Sequence, residues 1–124
     1  MTVSQGRERR RFPRIPMDQV VSFAELGQSE QLGRGVDLSK GGIRFRVVAC
    51  EIDLGDRLRL TFIVLGQRVS ATGVVSWATE IDALTLEVGV EFEEIDARSQ
   101  ALLDAFAEAD SASPLGVLGA SGAG

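Results

Sequence analysis

Five arginines crowd the first fourteen residues of the chain, at Arg7, Arg9, Arg10, Arg11 and Arg14. Each guanidinium is a planar fork of donors, suited to phosphate oxygens and to the O6/N7 edge of guanine. Beyond one hydrophobic stretch comes Asp37-Leu38-Ser39-Lys40-Gly41-Gly42, which offers a carboxylate, a hydroxyl and two glycines. At such glycines a backbone can take positive φ or approach a ligand closely. Asp37 can accept hydrogen bonds from guanine N1–H and N2–H, or pin an arginine of the arm. Ser39 can donate to a phosphate or to a guanine acceptor. An ordinary Asx/Ser turn between two strands uses the same residue types with no ligand at all. The arginine arm tips the balance, because forked cations arriving from one side and a carboxylate from the other match a small molecule bearing phosphates and guanine edges.

In order and spacing the two segments resemble PilZ domains, bacterial receptors for cyclic di-GMP. The family pattern is Arg-x-x-x-Arg followed some twenty-odd residues later by Asp/Asn-x-Ser-x-x-Gly. Arg10 and Arg14 fit the first element, and Asp37, Ser39 and Gly42 fit the second. Gly73-Val74-Val75-Ser76-Trp77 and Val88-Gly89-Val90-Glu91-Phe92 look like the late strands of that family, so the resemblance covers residues from about 7 to 109. It implies a cyclic di-GMP receptor that regulates an effector protein and is not an enzyme. The implied ligand contacts are Arg9, Arg10, Arg11, Arg14, Asp37, Ser39, Gly41 and Gly42, with no cofactor or metal beyond the nucleotide. Trp77 has two readings: a rim position stacking on guanine, as an aromatic does in some family members, or, by its alternation with Val69 and Val75, a core position. Arg44 and Arg46 follow the glycine turn on an outer strand face, where they either contact phosphate or stay solvated.

Composition narrows the alternatives. At 124 residues and 44% hydrophobic content the chain suits one domain with a modest core. The net charge of −5 hides an asymmetry: residues 1–14 hold five arginines and one glutamate, net +4, leaving −9 for the rest. Duplex nucleic-acid binders usually spread basic charge over a face, so an acidic body with one basic arm fits a small anion better. Two rival readings are a barrel binding RNA or single-stranded DNA through the arm, and a PilZ-like interaction domain without nucleotide. The first calls for aromatic stacking platforms, yet Tyr is absent and the six Phe fall mostly on core-facing positions. With no histidine and Cys50 alone, the common nucleophile systems, most zinc sites and disulfides have no residues to build on. The longest apolar run, residues 60–65, is too short to span a bilayer, and the predicted location is the cytoplasm.

The elements that must position these residues are strands. Val20 to Ala24 and Gly35 to Leu38 read as strands, and Ile43, Phe45 and Val47 alternate with Arg44 and Arg46. Leu58, Leu60, Phe62 and Val64 form another core face, and Gly66-Gln67 can close a hairpin into Val69, Ala71, Gly73, Val75 and Trp77. Leu84, Leu86, Val88, Val90 and Phe92 complete the set. Six short strands predict a mainly β fold, a small six-stranded antiparallel barrel spanning residues 16–109 with a C-terminal helix. That helix is predicted from an Asp96 N-cap to about Glu108, with Leu102, Leu103 and Phe106 on one side. Residues 1–15 read as a flexible basic arm, kept from helix by Pro13 and Pro16. Residues 110–124 read as a disordered Ser/Ala/Gly-rich tail.

Overall fold

One sheet closes on itself and so buries the apolar face that most of its strands share. The computed structural model describes the backbone of residues 14–120 and the side chains of residues 14–109. The strands are β1 (Ile15–Pro16), β2 (Val20–Glu25), β3 (Gln31–Leu38), β4 (Gly42–Val48), β5 (Arg57–Val64), β6 (Gln67–Glu80) and β7 (Thr85–Ile95), followed by helix α1 (Ala97–Ala120). The sheet order is β1-β3-β2-β5-β6-β7-β4, and β3 also pairs with β4, so six antiparallel strands close into a barrel. The two-residue β1 is added outside it, on the end of β3. This is the predicted mainly β barrel with a C-terminal helix.

The interior follows the expected alternation. Leu58, Leu60, Phe62 and Val64 of β5 are all buried, as are Ile43, Phe45 and Val47 of β4. The Phe23 and Phe45 rings meet at 5.1 Å, tilted by 42°, a favourable offset contact near the middle of the barrel. Three details depart from the sequence expectation. The β5–β6 hairpin turns on Leu65-Gly66, both at positive φ, while Gln67 already pairs with Val64. Two consecutive positive-φ residues match the twist of the flanking strands. Leu84 is exposed, because the chain between β6 and β7 is held by Asp82, whose carboxylate accepts from the amides of Leu84 and Thr85. Helix α1 runs to Ala120, past the predicted end near Glu108 and through Pro114 and Gly116, which local propensity alone does not favour in a helix.

Helix α1 lies against β5 and β6. Leu103 is buried in the core, with Leu102 and Phe106 packed against it. Its first turn is tied down by polar contacts: Asp96 Oδ1 accepts from the Ser99 amide at 2.7 Å, and buried Ser99 Oγ accepts from the Ser70 amide at 3.3 Å. The Ser99 hydrogen bond, helped by the nearby Arg98 guanidinium, holds the Asp96 carboxyl below the ordinary carboxylate range. A depressed folded-state pKa stabilises the fold above the unfolded value and is lost as pH falls through the folded one. Asp96→Ala is therefore expected to melt below the parent at pH 7, with the gap shrinking below roughly pH 4. Thermal melts at both pH values check this; an equal gap at each would put the effect elsewhere.

Candidate functional site

Strand register builds the site. Leu38 pairs with Ile43 across the turn of residues 39–42, which sets Asp37 directly opposite Arg44. Pro16 pairs with Asp37 on the other side, Arg44 pairs with Gly89, and Gly89 pairs with Trp77. One cross-strand row on the outer barrel face thus reads Pro16, Asp37, Arg44, Gly89, Trp77. Paired residues present their side chains to the same face, so the row is a continuous platform.

At its centre the Asp37 carboxylate is nearly saturated. Oδ1 accepts from Arg14 Nη1 at 3.1 Å and from Arg44 Nε at 2.9 Å. Oδ2 accepts from Arg44 Nε at 2.9 Å and from Arg44 Nη2. A carboxylate has about four lone-pair sites, and these contacts occupy them. The Asp37 side chain is 8% exposed, whereas those of Arg14 and Arg44 are 29% and 31% exposed, so a buried anion holds two cations that still face outward. The hydrogen bond to Asp37 raises the Arg44 pKa further, keeping that guanidinium charged at any working pH. Glu87, which accepts from Arg46 Nε at 3.0 Å, also stands 3.8 Å from Arg44 Nη1.

The turn after Asp37 is a closed unit. Ser39 Oγ accepts from the Gly41 amide at 3.2 Å and donates to the Gly42 carbonyl at 3.4 Å, which also accepts from the Ser39 amide at 2.9 Å. The Gly41 carbonyl accepts from the Phe92 amide at 2.9 Å. Ser39 is buried, and its hydroxyl is spent on the turn. Positive φ, one expected reason for the two glycines, is not used: Gly27, Gly55 and Gly66 are the described glycines that adopt it. Close approach is the reason at Gly42, where a Cβ would collide with the Val90 carbonyl oxygen. Lys40 turns away toward helix α1, with Nζ 3.6 Å from Asp104.

Of the predicted site residues, the structure brings together Arg14, Asp37, Ser39, Gly41 and Gly42, with Trp77 on the same platform. Trp77 is not a core residue. The β6 register shifts between Val75, paired with Val90, and Trp77, paired with Gly89, so Ser76 is an extra residue. Such a bulge breaks the alternation and brings the half-buried indole onto the outer face, over Gly89. Arg9, Arg10 and Arg11 lie outside the described residues. Sequence reasoning missed the Arg44–Asp37 clasp and the Glu87 brace. The signal for the clasp is present: a four-residue turn at 39–42 fixes positions 37 and 44 as cross-strand partners of opposite charge.

Among the described residues no cluster of three or more metal-ligating side chains occurs, and no helix is long and apolar enough to cross a membrane. Burial pushes the Cys50 thiol up, away from reactive thiolate.

The family model for the PilZ domain matches residues 8–109. No curated protein matches the chain. Among solved structures it is similar to the PilZ domain of YcgR from Escherichia coli with c-di-GMP, at 18% identity and a TM-score of 0.63, covering 86% of this chain and 97% of that one. It is also similar to the Bacillus subtilis inhibitor of motility MotI/DgrA, at 21% identity and 0.67, covering 81% of this chain and 50% of that one. A third is the K. pneumonia MrkH–c-di-GMP complex, at 12% identity and 0.67, covering 82% and 52%. The chain spans about half the length of the last two. At such identities the likeness is one of fold.

Proposed function

The chain belongs to the PilZ domain family, and on that premise we propose that it is a receptor for cyclic di-GMP which regulates a partner protein and catalyses no reaction. The observation that carries this is the Asp37 carboxylate holding Arg14 and Arg44 outward on one barrel face, beside the Ser39–Gly42 turn. Two phosphates and two guanine edges need several forked donors from more than one direction. Arg14 and Arg44 supply two from the barrel. Arg9, Arg10 and Arg11 of the arm supply others by folding over the nucleotide. Ser39, Gly41 and Gly42 set the turn against which the ligand lies, and Trp77 offers a face for stacking a guanine. The ligand neutralises part of the +4 arm, and the changed charge and shape are what a partner in the cytoplasm senses.

Arg10→Ala tests the arm's share and Arg14→Ala the share of the guanidinium held by Asp37. Each is expected to weaken cyclic di-GMP binding roughly ten- to hundredfold in calorimetry, since a hydrogen bond to a charged group is worth about 1.5–3 kcal/mol. Circular dichroism should be unchanged, because both precede the buried strands. A variant that binds like the parent removes that arginine from the site.

A further inference from the structure

We infer that Arg44, a residue outside the two motifs, is a specificity residue of this site, reading the O6/N7 edge of a guanine whose face rests on Trp77. The inference deepens the proposed cyclic di-GMP reading and rests on it.

The argument starts from which hydrogens Arg44 has left. Asp37 grips the guanidinium from its side, through Nε and Nη2. That uses one of the two forks a guanidinium offers. The end fork, made by Nη1 and the second Nη2 hydrogen, stays open. Among the described residues Nη1 makes no hydrogen bond, and its nearest carboxylate oxygen, on Glu87, stands at 3.8 Å. Arg46 Nε hydrogen-bonds the other Glu87 oxygen, Oε1, at 3.0 Å, which holds that carboxylate toward Arg46 and leaves Oε2 beyond hydrogen-bond reach of Arg44. An arginine fixed by a buried carboxylate on one side, and held on the other only by a long ion pair to Glu87 with no hydrogen bond, is a preorganised donor pair.

Position decides what it donates to. Arg44 and Trp77 flank Gly89 in one cross-strand row, roughly two strand spacings apart, on the order of 10 Å between their Cα atoms. Gly89 adds no side chain between them, and the indole leans over it. An aromatic face and a guanidinium fork separated by a bare glycine suit a planar base, stacked on the one and edge-read by the other. Asp37, already saturated by two arginines, then acts by positioning Arg44 rather than by touching guanine itself.

Binding of cyclic di-GMP and cyclic di-AMP to the full chain and to Arg44→Lys tests this by calorimetry. The two ligands share their phosphates, but adenine presents an amino donor in place of O6. Lysine keeps the charge beside Asp37 and loses the fork. The expected result is a preference for cyclic di-GMP that falls roughly tenfold or more in Arg44→Lys, with an unchanged melting temperature. Equal weakening toward both ligands would overturn the inference, since it would place Arg44 on a phosphate. So would a variant that discriminates like the parent. If the parent binds neither ligand, the receptor proposal fails and the inference falls with it. If the parent binds and Arg44→Lys is unaltered, the inference alone fails.

Discussion

Replacing Asp37 by alanine is expected to weaken cyclic di-GMP binding about a hundredfold or more while leaving the barrel folded. The carboxylate orients two guanidiniums at once, Arg14 and Arg44, and both lose their fixed geometry when it goes. Charge-assisted hydrogen bonds contribute about 1.5–3 kcal/mol each, so misplacing two forks exceeds the effect of losing one. Stability responds less. Both arginines are about a third exposed, and water can take over their hydrogens, so the fold loses on the order of 1 kcal/mol. Asp37→Asn separates the two effects. Its amide oxygen still accepts from one arginine, but its amino group meets donors and the charge is gone. Binding should therefore rank parent, then Asn, then Ala. Calorimetry beside thermal melts checks the order; equal loss in both variants with a large drop in melting temperature would make Asp37 a turn residue only.

Gly42→Ala is expected to act in the opposite sense, on the fold first. A Cβ at position 42 would run into the Val90 carbonyl oxygen and lie 3.3 Å from its carbon, where Gly42 of β4 faces Glu91 of β7. Those are backbone atoms of a strand paired on both sides, and they cannot step aside as a side chain tip can. Forcing a methyl into such a contact costs about 1–3 kcal/mol, or several degrees in melting temperature for a domain of this size. Any loss of binding would follow from the displaced turn. Urea unfolding measures it, and a variant as stable as the parent would show that the β4–β7 seam has slack.

The extent to which the site was legible follows from which contacts are local in sequence. Alternation at period two located the core faces of β4 and β5, because residues such as Leu58 and Phe62 are buried on sight of their own strand. The motif residues Arg14 and Asp37 were legible as chemistry, although they are 23 positions apart, because forks and carboxylates imply each other. Of the two readings of Trp77, alternation supported the core one and was misled, because one extra residue, Ser76, shifts the strand, and bulges leave no periodic trace. The role of Gly42 was half legible: the need for glycine was visible, but the atom that demands it belongs to Val90, on another strand. The Arg44–Glu87 contact depends on β4 pairing with β7, a pairing that spans the remainder of the barrel and that no local pattern specifies.

Isothermal titration of the full chain with cyclic di-GMP, run beside GTP and a short single-stranded RNA, bears most directly on the receptor proposal. Saturable heat with cyclic di-GMP is expected, with much weaker binding of GTP and RNA, because the cyclic dinucleotide holds two phosphates and two guanine edges in one compact ring that forks on the arm and barrel can grip together. GTP has one guanine, and a flexible RNA must be ordered first. No binding of cyclic di-GMP, or RNA bound more tightly than the dinucleotide, would contradict it.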